Sequence, residues 1–268
     1  MTMMTRGEKQ ERLHKIRCFV LDMDGTIYLG NRLFPYTPAF LQAVTASGRD
    51  YCYFTNNSSK NAGVYLEKLA AMGIPVPPEK MLVSNGVLLR WLKENRPGIS
   101  VYVVGTPALE ADFRRAGIPL NDQTPDAVVL GFDTTLTYEK LEKACRFIRE
   151  GCAFYGVNPD WNCPTENGFL PDCGSIAALI TASTGVSPEF FGKPSRHTLE
   201  YLLAKTGCRE EELAIVGDRL YTDIQIAQGT KVTSILVLSG ETQPEDLKTS
   251  EIQPDLVCRD LEELSSLL

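Results

Sequence analysis

The sequence predicts an α/β protein: a doubly wound, mostly parallel sheet of Rossmann type, with a second α/β domain inserted into it. Strands alternate with helices along the chain, which is the order that builds a parallel sheet covered on both faces. The runs 17–21 and 213–216 are mostly apolar and do not alternate, as in strands buried on both faces. An aspartate-rich segment follows each of these two runs, so a ligand site is expected where the strands end.

The two ends of the chain supply the elements of the main sheet. Strands are predicted at 17–21, 50–54, 81–83, 213–216 and 234–238, and helices at 38–46, 59–72, 199–203 and 222–228. In the first helix, Phe40, Leu41 and Val44 recur at helical spacing, and Gly48 follows its end. The polar segment 1–10 is expected to be mobile.

The middle of the chain predicts a second α/β domain. Strands are expected at 100–104, 127–130 and 153–157, and helices at 108–116, 138–149 and 175–184. An insertion of this length is too long for a loop, so it must fold as a module. The predicted domains are therefore a discontinuous core, 1–85 and 187–268, and an inserted domain, 86–186.

The residues after the first strand carry the clearest chemical pattern. Asp22 and Asp24 are two positions apart, so at strand spacing they face the same way, and Gly25 lets the chain turn at once. Two carboxylates in one pocket repel each other unless a cation or a shared proton offsets the charge. Asp218 and Asp223, after the strand 213–216, add further negative charge. This pattern predicts a hard, oxygen-preferring cation such as Mg2+, together with a phosphate group.

These motifs, in this order, resemble the haloacid dehalogenase-like phosphohydrolases over residues 17–257. The first family motif matches at 22–27, and the second, a strand ending in Thr or Ser, matches at 53–59. The third is a lysine, Lys193, between Gly192 and Pro194, and the fourth matches at Asp218 and Asp223. The forms of the last three motifs are more specifically similar to subfamily IIA, which contains NagD-like nucleotide phosphatases, 4-nitrophenylphosphatases and pyridoxal phosphate phosphatases. No catalytic position departs from the family pattern.

The resemblance implies a phosphoric monoester hydrolase that forms an aspartyl-phosphate. Asp22 is then the nucleophile, and Asp24 is the general acid and base. The metal ligands are Asp22, Asp218 and Asp24, the last through its main-chain carbonyl. Asp223 supports Lys193 or the waters of the metal.

The resemblance also implies the groups that hold the phosphate and the module that covers it. Thr55, Asn56 and Asn57 bind phosphate oxygens, and Lys193 offsets charge on the nucleophile and on the phosphoryl group. The inserted domain is then a cap over the core site, and caps of this kind often contribute to homodimers.

Two other functions remain open at this point. One is a phosphotransferase or mutase on the same core, which passes the phosphoryl group to a sugar hydroxyl. The other is a non-catalytic sensor of a phosphorylated ligand, although the pair Asp22 and Asp24 argues against it. The substrate itself is also open among sugar phosphates, nucleoside monophosphates and pyridoxal phosphate.

The segment 158–174 is the most unusual part of the inserted domain. It is polar, rich in turn formers and contains one large aromatic residue, Trp161. It is predicted to be either a surface connection or a loop that selects the substrate through Asp160, Asn162 and Glu166, since polar side chains can discriminate strongly among leaving groups.

Composition excludes several other classes of protein. The 268 residues include 43% hydrophobic residues, enough for a core, and carry a formal net charge of −7 without a basic run. This charge argues against a nucleic-acid or membrane partner and leaves a small phosphate ester as the expected ligand. The eight cysteines contain no pair at zinc-ligand spacing. With no apolar leader in residues 1–17, they favour a cytoplasmic, reduced chain.

Overall fold

The computed structural model describes residues 5–165 and 168–268. The chain forms two compact units. The first contains residues up to 55 together with 66–82 and 199–268, and the second contains 56–65 and 83–198. Residues 56–65, 83–85 and 187–198 thus group with the second unit, whereas the predicted core included them. The predicted domain bounds stay a prediction.

The strands, in chain order, are β1 (Cys18–Leu21), β2 (Tyr28–Leu29), β3 (Arg32–Leu33), β4 (Asp50–Thr55), β5 (Met81–Val83), β6 (Val101–Val104), β7 (Ala127–Leu130), β8 (Ala153–Gly156), β9 (Asn162–Thr165), β10 (Gly168–Pro171), β11 (Glu189–Phe190), β12 (Leu213–Gly217), β13 (Thr233–Val237) and β14 (Leu256–Cys258). The α-helices are α1 (Arg6–Leu13), α2 (Thr37–Ala46), α3 (Ala62–Ala71), α4 (Ser84–Asn95), α5 (Pro107–Arg115), α6 (Tyr138–Arg149), α7 (Cys173–Thr184), α8 (Arg196–Thr206), α9 (Asp246–Thr249) and α10 (Leu261–Ser265).

The first unit is built on a six-stranded sheet in the order β14-β13-β12-β1-β4-β5. Strand β1 pairs in parallel with β4 on one side and with β12 on the other, and β13 continues the parallel pairing from β12 to β14. All residues of β1 and of β12 are buried, as expected for central strands covered on both faces. The chain order reverses at β1, which makes its carboxyl end a topological switch point. The predicted fold class is confirmed.

The second unit has its own parallel sheet, in the order β11-β8-β7-β6. The N-cap of its helix α6 is Thr137, whose side chain accepts a hydrogen bond from the Lys140 amide. The apolar stripe of this helix, formed by Leu141, Cys145 and Ile148, packs with α7 and the sheet in one cluster. The sequence pattern of 138–149 therefore predicted both the helix and the face that it buries.

Three predicted segments have a different structure. The segment 1–10 was predicted without secondary structure, but residues 6–13 form α1, which begins after a reciprocal capping box of Thr5 and Glu8. Residues 1–4 lie outside the described residues. The predicted helix 222–228 is instead a single π-helical turn, Leu220–Ile224, followed by a short 3-10 turn. The polar segment 158–174 contains the antiparallel pair β9 and β10, and Glu166 within it lies outside the described residues.

Over residues 5–165 and 168–268, we find no helix with the length and apolar character needed to cross a membrane.

Candidate active site

Three carboxylates meet at the switch point of the first unit. Asp22 directly follows β1 and Asp218 directly follows β12, and the Asp22 amide donates to the Val216 carbonyl at 2.8 Å. Asp223 lies in the π-helical turn after β12, where its amide and that of Ile224 both donate to the Arg219 carbonyl. Carboxylate oxygens of Asp22, Asp218 and Asp223 all lie within 4.8 Å of one another.

Glycines make room for these carboxylates. A Cβ atom at Gly25 or at Gly240 would lie closer than 3.0 Å to the Asp218 carboxylate, and one at Gly217 would overlap the Asp223 carboxylate in the same way. Gly25 also has a φ of +89°, which favours glycine over residues with a side chain. The backbone approaches the acids this closely only because these positions have no side chain.

Asp218 is the most constrained of the three acids. It is 2% exposed, and its Oδ2 accepts a hydrogen bond from the Glu241 amide at 2.7 Å. Its other oxygen, Oδ1, is buried with no hydrogen-bond partner among the described residues. Burial first, and then the charges of Asp22 and Asp223, raise the pKa of Asp218 well above its ordinary value, while Arg219 and the Glu241 amide act in the opposite direction. The site therefore holds a buried acceptor, Asp218 Oδ1, that has no hydrogen-bond partner among the described residues.

This donor set fits Mg2+. The ion takes oxygen ligands and is held in proteins by one or two carboxylates. Three carboxylates within reach of one another, one with an unpartnered buried oxygen, supply the required charge and chemistry. Asp223 belongs to this group of carboxylates although the predicted ligand set did not include it.

The unpartnered charge on Asp218 leads to a prediction about stability. Because its folded-state pKa is raised, the folded chain holds more protons than the unfolded chain above the ordinary pKa of an aspartate, so stability without metal falls as pH rises through this window. Asp218→Asn should remove that loss and, with a chelator at about pH 8, raise Tm by on the order of 2 °C or more. Thermal unfolding at about pH 5 and about pH 8 measures the effect.

Asp122→Asn is the matched control, since Asp122 is an exposed acid of the second unit. It should keep the pH dependence of the parent. If the Tm of Asp218→Asn falls as much between about pH 5 and about pH 8 as the Tm of the parent, the loss of stability is not caused by Asp218.

Asp24 and Thr55 complete the predicted residues of the first unit. Asp24 Oδ1 accepts a hydrogen bond from the Gly30 amide at 3.4 Å, in the turn between β2 and β3. Thr55 is the last residue of β4 and is buried. The hairpin formed by β2 and β3 was not predicted from the sequence, and it fixes one oxygen of Asp24.

The second unit contains the other predicted site residues. Lys193 is 3% exposed, and its backbone N–H and C=O both bond the side chain of Asn56. The Asn57 side chain donates to the Cys163 sulfur at 3.7 Å. Asp160 is buried, whereas Asn162 is exposed in β9.

Two groups at the sites were missed by sequence reasoning. Asn158 and Asp172 bond each other beside Asp160, and Gly240 and Glu241 contact Asp218. The sequence gives a weak indication of Gly240 and Glu241, because they follow β13, an apolar strand of the main sheet.

Comparisons with known proteins agree with this architecture. The family model described as haloacid dehalogenase-like hydrolase matches residues 19–119, and a second, described as HAD-hydrolase-like, matches residues 190–264. An acid sugar phosphatase of Staphylococcus aureus (strain MRSA252) is 35% identical over 252 residues, which cover 94% of this chain and 97% of that protein.

Solved structures give the same result. The 4-nitrophenylphosphatase of Thermotoga maritima has a TM-score of 0.92 and 42% identity, covering 95% of this chain and 98% of that chain. NagD from Escherichia coli K-12 has a TM-score of 0.86 and 30% identity, covering 92% and 98%.

The fold and these matches define a hydrolase with a doubly wound α/β core. The chain belongs to the haloacid dehalogenase-like hydrolases, in subfamily IIA. The sequence predicted this subfamily and predicted that the chain is a phosphoric monoester hydrolase, and both predictions are confirmed.

Proposed function

We propose that this chain is a Mg2+-dependent phosphatase that hydrolyses small phosphorylated metabolites through an aspartyl-phosphate on Asp22. The observation that carries the proposal is the convergence of Asp22, Asp218 and Asp223 at the switch point. One buried oxygen of Asp218 has no hydrogen-bond partner within 5–165 and 168–268. A carboxylate in such a site can attack phosphorus as a nucleophile, and the excess negative charge suits a site that is completed by a cation.

In the first step, an Asp22 oxygen forms a bond to phosphorus while the bond from phosphorus to the ester oxygen breaks. The Asp24 carboxyl gives its proton to the departing oxygen. In the second step, Asp24 takes a proton from a water molecule, which attacks phosphorus and releases Asp22 and inorganic phosphate. The Gly30 amide donates to Asp24 Oδ1 and so orients this carboxyl group, which supports its proposed role in proton transfer.

The acidic residues would also hold the metal. Asp22 and Asp218 would bind Mg2+ through their carboxylates and Asp24 through its main-chain carbonyl, while Asp223 orients the surroundings of the ion. When bound, Mg2+ neutralises charge on the phosphoryl oxygens.

The remaining groups would bind the phosphoryl oxygens. Thr55 and the backbone amides of Asn56 and Asn57 are proposed as donors. Lys193 is proposed to offset the charge on Asp22 and on the phosphoryl group, as a compact cation. Asn56 directly follows β4 and bonds the Lys193 backbone, which supports a common role for the two residues.

The proposed substrate class is sugar phosphates, since the Staphylococcus aureus relative is an acid sugar phosphatase. 4-Nitrophenyl phosphate is the proposed test substrate, because the Thermotoga maritima neighbour is a 4-nitrophenylphosphatase. Substrate selection by Asp160 and Asn162, a cytoplasmic location and a homodimer stay predictions.

The role of Asp24 gives the test of this function. The parent should release inorganic phosphate both from a sugar phosphate and from 4-nitrophenyl phosphate. Asp24→Asn should slow the sugar phosphate at least about tenfold more than the aryl ester, because nitrophenolate leaves without a proton. Single-turnover rates of the first chemical step measure the difference.

A parent that releases no phosphate from either ester would overturn the proposed function. Equal losses for the two substrates would instead exclude Asp24 as the acid. An excess of a sugar alcohol as acceptor distinguishes hydrolysis from transfer, since a transferase would yield a new phosphate ester in place of inorganic phosphate.

A further inference from the structure

A connected network of buried polar side chains lies in the second unit. Its members belong to segments far apart in the sequence and bond one another through side chains: Asn56, Ser58, Asn158, Asp160 and Asp172. All five are less than 9% exposed. Buried polar groups of this kind fix one arrangement when their hydrogen bonds are satisfied.

The Asn56 amide is the member that reaches Lys193. Its Oδ1 accepts from the Lys193 N–H at 2.8 Å, and its Nδ2 donates to the Lys193 carbonyl at 2.9 Å. Its other Nδ2 hydrogen goes to Asp160 Oδ2, also at 2.8 Å. One side chain therefore binds both backbone groups of the lysine, and both of its donors are used.

Asp160 determines the orientation of this amide. An ionised carboxylate only accepts hydrogen bonds, so the Asn56 group that faces it must be the NH2 group and not the oxygen. The opposite orientation would place Oδ1 against the Asp160 carboxylate and against the Lys193 carbonyl. Asp160 thus favours the single orientation in which Asn56 can bind both groups of Lys193.

The rest of the network anchors Asp160. Asn158 Nδ2 donates to the same Oδ2 of Asp160 at 2.9 Å and to Asp172 Oδ1 at 3.1 Å. Asn158 Oδ1 accepts from the Ser58 hydroxyl, which itself accepts from the Phe132 amide after β7. These bonds connect the carboxyl ends of β7 and β8 to the segment that contains Asn56.

Close backbone packing leaves little freedom around Asn56. A Cβ atom at Gly192 would lie 2.8 Å from Asn56 Oδ1 and 2.8 Å from the Val157 carbonyl oxygen. Gly192 therefore allows the chain to bring Lys193 against the Asn56 amide. A shift of this amide would move the lysine backbone with it.

We propose that Asp160 and Asn56 are positioning residues that set the backbone of Lys193, an inference that rests on the proposed function of that lysine. The sequence instead predicted Asp160 as a group that contacts the substrate. Its carboxylate is 4% exposed and accepts from two asparagine side chains, which favours a role within the protein.

Exchanging the hydrogen-bond donor and acceptor between Asn56 and Asp160 tests this inference. Asn56→Asp replaces the NH2 group with an acceptor that faces Asp160 and the Lys193 carbonyl. We expect kcat for 4-nitrophenyl phosphate to fall about a hundredfold, the scale of a misplacement of about 1 Å. Adding Asp160→Asn restores a donor opposite residue 56, so the double variant should recover at least about tenfold of that loss.

A second double-mutant cycle, with Lys193, tests whether Asn56→Asp lowers kcat by displacing the lysine. Lys193→Met removes the ammonium and keeps an unbranched side chain that is one atom shorter. If Asn56 acts by positioning Lys193, Asn56→Asp should lower kcat by less than about threefold in the Lys193→Met background. Asn95→Asp and Asp122→Asn, both at exposed positions, are the matched charge controls and should leave kcat unchanged.

The outcomes separate this inference from the proposed function. A parent without phosphatase turnover overturns both. If the parent is active, two results would overturn the inference alone. One is that adding Asp160→Asn does not recover the kcat lost by Asn56→Asp. The other is that Asn56→Asp lowers kcat by the same factor with Lys193 as with Met at that position. If Asn56→Asp does not fold, Asn56→Ser takes its place in the Lys193 cycle. A serine hydroxyl has one hydrogen, so it cannot donate to both Asp160 and the Lys193 carbonyl, and the same criterion of less than about threefold applies.

Discussion

Asp22→Asn should lower kcat/KM for every phosphate ester at least about a thousandfold, because residues that act as a catalytic unit fail together when one is lost. The amide is nearly isosteric with the carboxylate but does not attack phosphorus. Asp22 directly follows a fully buried central strand, and its backbone amide is bonded to β12. The substitution should therefore leave the fold intact, and steady-state rates measured beside thermal unfolding test both statements.

The control for this prediction is again Asp122→Asn, which removes one exposed carboxylate from the second unit. It should retain the activity of the parent. Trapping of the phosphorylated enzyme by acid quench gives a second readout, since the parent should carry covalent phosphate and the Asp22→Asn variant should not. Activity of the variant within about tenfold of the parent would exclude Asp22 as the nucleophile.

The elements that were predicted well are those whose signal is local. The run 18–21 is apolar at each position and became a central strand, while the stripe of 138–149 became a helix with the predicted bounds. Hydrophobic periodicity is the strongest signal of secondary structure in a single sequence. The order of these elements was enough to predict a doubly wound sheet and the edge at which the acids lie.

The elements that were missed have no hydrophobic pattern of their own in the sequence. Helix α1 is capped by the pair Thr5 and Glu8, which a polar composition hides. The turn that carries Asp223 is π-helical, and single π turns are often found at functional sites without a sequence pattern of their own. The pair β9 and β10 is short and exposed, so it lacks the buried face that makes strands recognisable.

The role of Asp160 shows why part of the site could not be predicted. A polar residue in a segment rich in turn formers suggests an exposed loop. Asp160 is instead buried and accepts hydrogen bonds from two asparagines, one of them more than 100 positions earlier in the chain. The contact of Glu241 with Asp218 is similar, because only the pairing of β12 with β13 brings that turn to the acids. Such contacts follow from topology rather than from local sequence.

Removal of divalent metal should reduce turnover at least about a thousandfold, since a metal ion contributes several kcal/mol to stabilising charge in the transition state. The structural reason is the charge of the site. Three carboxylates lie within 4.8 Å, and burial and the neighbouring acids raise the pKa of Asp218. Without the metal, an anionic phosphate ester would enter a site that holds three closely spaced carboxylates.

The experiment measures phosphate release after treatment with EDTA and again after Mg2+ or Ca2+ is added in excess. Mg2+ should restore the full rate. Ca2+ should bind without restoring it and should inhibit in competition with Mg2+, because it prefers more ligands at longer distances and would disturb the in-line geometry. Asp218→Asn should weaken the response to Mg2+, whereas the exposed-site control Asn95→Asp should keep the response of the parent. Full activity after rigorous chelation would exclude a metal from the site, and the excess of acidic residues would then need a shared proton instead.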